Sequence, residues 1–437
     1  KHASRSLLRP SWTRRASTSY ERTSVEVNDK EVNARTSLSA MRAFAFLITL
    51  LPTCTFAQWY QLHDFPGTAR DDAASFSHNC KVYVGTGMQV GWSLTNDWWQ
   101  YDVIQDSWQQ VASLPATARQ YCTAQAINGV GYLFGGFDGN TPLNELWAYD
   151  TNGDSWSLKA QLPSDGRYAS SSFVSDGKLY IVGGLTTGGT ALNELWQYDP
   201  ITDQWNQQAA LPGIARHRAM AMSLYYDQGP ALLTGGADES YVPLNDSWIY
   251  DNSSDSWTQA APLPTTRYDA GIAWQDGGIQ VVGGQTDGGG YLASGETYDH
   301  LSDSWSSMSA TLPNGRRGGV MSIANCPGWL ITYYGLGLDT SFTRHNDWYM
   351  TGYWFGIEEN GLSPIHIFPN PTTDFINLQL TESLARVTIV DASGKTVSIH
   401  SLKPNEPLSV LHLEAGAYTL IVDQSSTRRT GHFIKLP

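Results

Sequence analysis

An arginine recurs six times along the chain, as Arg70, Arg119, Arg167, Arg216, Arg267 and Arg316. In four copies an aromatic or imidazole side chain lies within two residues of it: Tyr121, Tyr168, His217 and Tyr268. A guanidinium beside an aromatic ring suits a carboxylate, a sugar or an acidic peptide, because the planar fork matches a carboxylate and the ring covers apolar surface. The same arginines could serve the fold instead, by pairing with the acid of a recurring Asn-acid-x-Trp string. The sequence leaves both roles open. A second recurring feature, Asp150-Thr151-Asn152-Gly153-Asp154, imitates the start of a calcium loop. Its copies at Asp102/Asp106, Asp199/Asp203, Asp251/Asp255 and Asp299/Asp303 have no Glu at the twelfth position. They read as Asp-capped turns. For acid–base chemistry the candidates are Glu145, Glu194, Glu296 and His217, of which the first two repeat and so argue for structure. Neither Cys nor His shows metal-ligand spacing, and the sequence assigns no catalytic residue, no metal and no cofactor.

The elements that must position these residues are short strands. An apolar run ending in a glycine pair recurs as Leu133–Gly136, Ile181–Gly184, Leu232–Gly236 and Val281–Gly284, with looser copies at Val82–Gly87 and Tyr333–Gly337. After each comes a string such as Asn144-Glu145-Leu146-Trp147-Ala148-Tyr149-Asp150, then Asp-x-Trp, Leu-Pro and the arginine. Trp108, Trp156, Trp205, Trp257 and Trp305 are spaced 48, 49, 52 and 48 residues apart. Forty-one Gly, 17 Trp and only 16% charged residues exclude a coiled coil or helical bundle and favour strands and tight turns.

A period near 50 with these motifs resembles the kelch repeat, whose unit is one four-stranded blade of a β-propeller. The resemblance covers residues 58 to about 355. It implies an all-β fold, a six-bladed kelch-type β-propeller over 58–355. Trp59 lies one period before Trp108, so the segment 58–70 should complete the last blade and close the ring. Strand alternation puts the loops between second and third strands on one face with the inter-blade connections. That face would carry the arginines and aromatics beneath variable loops. The leading reading is a secreted recognition protein binding a protein or glycan ligand. The alternative is a sugar-processing enzyme, since some six-bladed kelch proteins resemble sialic-acid mutarotases or epimerases. A copper oxidase like the kelch-fold galactose oxidases fits poorly, because His63, His78, His217, His300 and His345 are not paired at short spacing.

Residues 1–40 hold eight basic and four acidic side chains, begin with Lys1 and show no periodicity. They read as upstream sequence outside the mature protein. Met41-Arg42, the apolar run Ala43–Leu51 and Thr55-Phe56-Ala57 read as a signal peptide over 41–57, too short to span a bilayer. Cys54 is a poor lipidation match because Thr53 precedes it. From Gln58 onward 18 basic face 37 acidic residues, a net charge of −19. That surface repels phosphate backbones and anionic lipid, so no nucleic-acid partner and no transmembrane segment in the mature chain are expected. Cys80, Cys122 and Cys326 remain. Cys80 and Cys326 stand at matching points of the first and last repeats and become neighbours in a closed ring. Two independent buried thiols are the first expectation, a disulfide the second.

After a linker over 356–363, residues 364–437 lose the Trp and Gly-pair pattern and show seven short β runs, a small Ig-like β-sandwich. Phe368-Pro369-Asn370-Pro371, Val390-Asp391-Ala392-Ser393-Gly394-Lys395 and Leu413-Glu414-Ala415-Gly416-Ala417-Tyr418 resemble the C-terminal sorting domain of the type IX (Por) secretion system. That resemblance implies secretion, or anchoring at the outer surface of a Gram-negative bacterium, with the secretion machinery as a partner.

Overall fold

The computed structural model describes residues 59–351 except 226, 276–277 and 327–328, and residues 363–435 with short gaps. The upstream segment 1–40, the signal peptide 41–57 and most of the linker lie outside the described residues.

Strands of about five residues cannot hold themselves in water, so they are assembled into six antiparallel four-stranded sheets. Blade 1 runs Ala74–His78, Lys81–Gly85, Trp98–Asp102, Ser107–Val111, and blade 2 runs Thr123–Ile127, Val130–Phe134, Leu146–Asp150, Ser155–Leu158. Blades 3, 4 and 5 repeat the order from Ser171, Met220 and Gly271. Blade 6 takes Val320–Cys326, Trp329–Gly335 and Trp348–Thr351 from the end of the repeats and Tyr60–Gln61 from their beginning. Tyr60 stands opposite Met350 and Gln61 opposite Tyr349. The innermost strands touch in cyclic order, the sixth against the first.

Two closed rings of backbone hydrogen bonds tie the blades at the axis. In the inner ring Tyr121 N donates to Asp72 O, Ala169 to Tyr121, Arg218 to Ala169, Asp269 to Arg218, Gly318 to Asp269 and Asp72 back to Gly318, at 2.8–3.2 Å. All six residues have left-handed backbones, with φ between 53° and 59°. In the outer ring the second residue of each glycine pair donates to the carbonyl of the next blade's arginine: Gly87 to Arg119, Gly136 to Arg167, and onward to Gly337, which reaches Arg70. Here glycine is required. Gly184 has φ 102°, and a Cβ on Gly183 would come within 2.4 Å of the Arg216 carbonyl oxygen.

At the rim a latch repeats. The second Asp of Asp-x-x-x-Asp accepts a bond from the Tyr hydroxyl of its own blade and from a backbone N–H of the preceding blade. The Trp that follows donates Nε1 to the carbonyl of that same preceding residue. Ala160 is held in this way by Asp203 and Trp205, and Ala209 by Asp255 and Trp257. The Asp pairs are therefore turns and latches. Asp106 is the buried member, taking Tyr101 Oη at 2.6 Å and the His63 N–H at 3.2 Å. Asp106→Ala leaves those donors unmatched and is expected to cost about 1–3 kcal/mol in chemical denaturation.

Cys80 and Cys326 are joined by a disulfide across 246 residues, with Cα atoms 4.8 Å apart. They are not the two independent thiols of the first expectation: the cyclic arrangement brings the first hairpins of blades 1 and 6 together at this point. Cys122 remains a free thiol.

In the tail, Ser363–Pro364, Thr427–Lys435, Gly416–Gln424, Ala385–Asp391 and Thr396–Leu402 form one sheet. Ile367–Phe368, Phe375–Leu378 and Leu408–Ser409 form a second. Ile376, Val387, Ile389, Leu420, Val422 and Phe433 are buried in one core.

Candidate functional site

The six repeated arginines fold inward from the inter-blade connections and end behind the inner ring, each at most 1% exposed. Each guanidinium meets the acid of the Asn-acid-x-Trp string in its own repeat: Arg70 with Asp97, Arg119 with Glu145, Arg167 with Glu194, Arg216 with Asp246, Arg267 with Glu296 and Arg316 with Asp347. Most also donate to the carbonyl of the first residue of the glycine pair, as Arg216 Nη1 does to Gly235 O at 3.0 Å. Their donors are turned away from solvent toward the acid, which is the fold-serving one of the two roles that the sequence leaves open. Glu145, Glu194 and Glu296 leave the acid–base list for the same reason. Burial raises the Glu145 and Glu194 carboxyls, but hydrogen bonds from Trp147 or Trp196 and from the arginine win and hold both below the usual range.

The residues one and two places beyond each arginine reach the axis, and there the repeat breaks. At the second place the six blades carry Asp72, Tyr121, Ala169, Arg218, Asp269 and Gly318. These are the inner-ring residues, and their side chains form a charged mouth with Asp71, Arg317 and Arg344. Arg317 donates to Asp269 Oδ2 at 3.0 Å and to Tyr291 Oη at 3.2 Å, and lies 3.7 Å from Asp72 Oδ1. Arg344 Nε donates to Asp71 Oδ1 at 2.6 Å, while its guanidinium lies 4.6 Å from the centre of the Trp92 ring. Arg218 sits 4.4 Å from the Tyr121 ring and 5.6 Å from the Tyr241 ring.

Of the sequence candidates, Tyr121 belongs to the mouth itself. Tyr168 packs on Tyr121 and Phe137. His217 is buried against Tyr241 with Nε2 on the Asp238 carbonyl, and Tyr268 lies within 5.9 Å of Arg218. Burial and neighbouring Arg218 push His217 down to about 4, so its imidazole is neutral. Burial, then Asp269 and Asp71, push the Asp72 carboxyl well above the usual range, against the opposing pull of Arg317 and Arg218. Several buried polar atoms here have no hydrogen-bond partner within the chain: both Asp72 carboxyl oxygens, Arg218 Nε and Arg344 Nη2. Native interiors leave few such atoms, and each calls for an explanation.

Asp71, Asp72, Arg218, Asp269, Arg317 and Arg344 are missed by a search for repetition because they are what does not repeat. The usable signal is a fixed place beyond the arginine filled by five different residue types in six copies. Behind the inner ring the inner strands enclose an axial cavity of about 250 Å³, lined partly by Ser75, Thr123, Gln125 and Ser322. Among the described residues no group of three or more His, Cys, Asp or Glu could hold a metal. No helix among them is long and apolar enough to cross a membrane.

Six four-stranded blades closed about one axis define a β-propeller. The chain is a kelch-repeat β-propeller protein with a C-terminal secretion sorting domain. The family described as the KLHDC2/KLHL20/DRC7 Kelch-repeats domain matches residues 55–228, and the Secretion system C-terminal sorting domain matches 366–435. The tail marks the protein for export by type IX secretion machinery. Galactose oxidase of Gibberella zeae is 30% identical over 97 residues, 22% of this chain and 14% of that one. An F-box/kelch-repeat protein of Arabidopsis thaliana is 35% identical over 132 residues, 29% of this chain and 33% of that one. Kelch-like protein 25 of Xenopus laevis is 31% identical over 84 residues, 17% of this chain and 14% of that one. The chain thus spans between about a seventh and a third of the length of these relatives. The solved structure of YjhT has a TM-score of 0.57 at 17% identity, over 73% of this chain and 99% of that one, a likeness of fold.

Proposed function

We propose that this is an exported recognition protein whose axial mouth binds a ligand through a carboxylate, a glycan being the ligand class favoured. The observation that carries the reading is the convergence of Arg218, Arg317 and Arg344 on a point surrounded by tyrosines, with Arg218 Nε and Arg344 Nη2 making no hydrogen bond within the chain. A carboxylate there gains charge-assisted, fork-like hydrogen bonds in a site shielded from water. In this reading residues 41–57 direct the chain across the inner membrane, 58–355 form the binding propeller and 364–437 are the export signal. The mature protein is then released or fixed at the outer surface.

The test is calorimetric titration with uronic and sialic acids, alongside a glycan array. Arg317→Ala should weaken binding about 10–100-fold, the loss of one charged hydrogen-bonded contact. A melting curve serves as control, since Arg317 also neutralises Asp72 and Asp269. Binding that survives in the folded variant sinks the proposal. A second reading, a sugar-processing enzyme like the mutarotases, is supported by the cluster of Asp72 with Asp71 and Asp269 at the mouth, burial pushing the Asp72 carboxyl above the usual range toward a general acid's task. Acceleration of anomer exchange in NMR spectra of the bound sugar would select it.

A further inference from the structure

The loops around the axial mouth share one geometry but not one residue. In blades 1, 3, 4, 5 and 6 the loop between the second and third strands closes over five residues. The first N–H donates to the fifth carbonyl, as in Gln89 to Ser93 and Asp339 to Thr343. The fourth N–H donates back to the first carbonyl, from Trp92, Gly189, Tyr241, Gly289 and Phe342 respectively. That fourth residue is left-handed in every copy, with φ of 65°, 83°, 61°, 81° and 59°. Blades 3 and 5 use glycine there, the residue such a backbone favours. Blades 1, 4 and 6 use an aromatic, for which the conformation is a true outlier.

Nothing in the fold calls for those rings. The glycine copies make the same hydrogen bonds, and Trp92, Tyr241 and Phe342 are 68%, 47% and 70% exposed. What the rings share is the mouth. Trp92 covers Arg344, Tyr241 covers Arg218, and Phe342 is two residues from Arg344. Small polar residues such as Ser93, Ser240, Ser341 and Thr343 flank the rings, with the exposed Val90 and Val242 as the apolar neighbours in the same loops. A plate of that size matches one pyranose, whose C–H bonds lie on the negative face of an aromatic ring.

We propose that Trp92, Tyr241 and Phe342 are stacking platforms for sugar rings. The ligand is then an acidic oligosaccharide whose charged unit sits at the axial arginines while neighbouring units lie on the rim. This rests on the carboxylate reading of the mouth and extends it from a charged group to a chain of sugars.

The test uses the full mature chain and the triple variant Trp92→Gly, Tyr241→Gly, Phe342→Gly, which copies the residue of blades 3 and 5 and should melt no lower than the parent. Probes are pentamers of galacturonate, mannuronate and sialic acid, their monomers, neutral cellopentaose and an acidic pentapeptide. An acidic pentamer should bind at least about tenfold more tightly than its monomer, and in the triple variant that advantage should vanish, pentamer and monomer binding alike. Equal affinity of the parent for monomer and pentamer, or a triple variant that binds as the parent does, overturns the proposal, as does failure to bind any sugar. Peptide binding lost in the triple variant assigns the rim to a protein partner and overturns it too. If cellopentaose binds as tightly as the acids, depends on the rim and ignores Arg317→Ala, the platforms stand and the carboxylate reading falls.

Discussion

Arg216→Ala is expected to destabilise the propeller by about 3–5 kcal/mol in urea denaturation, far more than a surface charge would. The guanidinium makes four bonds: Nε to Ile214 O at 3.0 Å, Nη1 to Gly235 O at 3.0 Å, and two to Asp246 at 2.6 and 2.8 Å. Removing it strips the Asp246 carboxylate of its counter-charge in a half-buried site and leaves the Gly235 carbonyl short of a donor beside the outer ring. Arg216→Lys keeps the charge but loses the fork, so an intermediate loss follows. Acid supplies a second readout. Burial raises the Asp246 carboxyl, but hydrogen bonds from Arg216 and Trp248 prevail and hold it below its ordinary value. A depressed carboxyl stabilises the fold above its unfolded pKa and loses that contribution as pH falls through the folded value. The parent should therefore lose stability below about pH 4, and Arg216→Ala should show a flatter acid limb. Near-parent stability of Arg216→Ala would remove the clamp from the account of the fold. A double variant with Asp246→Ala should recover part of the loss, since the unpaired charge leaves with it.

The clamp also explains what could be read from the sequence and what could not. A residue present in every blade answers a need common to every blade, and periodicity exposes it. Asn144 and Asn193 hold the Leu-Pro carbonyls of Leu162 and Leu211, Trp205 latches Ala160, and Gly184 reaches the next blade's Arg216. Strand order and the Trp59 spacing follow from the same repetition. The binding face follows too, because alternation dictates which loops share it. The mouth does not follow. Asp72, Arg218 and Asp269 are 146 and 51 residues apart in the chain and meet only because six blades close on one axis. The pairing of Cys80 with Cys326 has the same origin: nothing local to either cysteine distinguishes a disulfide from two buried thiols until their hairpins are adjacent. Repeats thus report the scaffold, and departures from the repeat report the site.

Ring closure is where the second large effect is expected. Five blades are each one continuous stretch of chain, whereas blade 6 is split between the two ends of the repeats, so its seam is closed by non-covalent contacts and spanned by the Cys80–Cys326 disulfide. The contacts are the pairing of Tyr60–Gln61 with Tyr349–Met350, the bonds from Leu62 N to Trp348 O and from Asn346 to the Phe65 carbonyl, and Phe65, fully buried in the core that holds Tyr333 and Trp348. A cross-link closing so long a loop is worth roughly 2–5 kcal/mol in the chain-entropy picture, so Cys80→Ser should lower stability by about that much. Phe65→Ala should cost about 3–5 kcal/mol through the cavity it opens. The informative variant is the pair. With either device in place the junction still holds and the propeller unfolds as one unit. With both gone, the 60–70 segment leaves blade 6 and the ring opens before the rest unfolds, so the combined loss should exceed the sum of the single losses and the denaturation curve should broaden or split. Strict additivity with one sharp transition would mean that the two backbone rings at the axis suffice to close the propeller on their own.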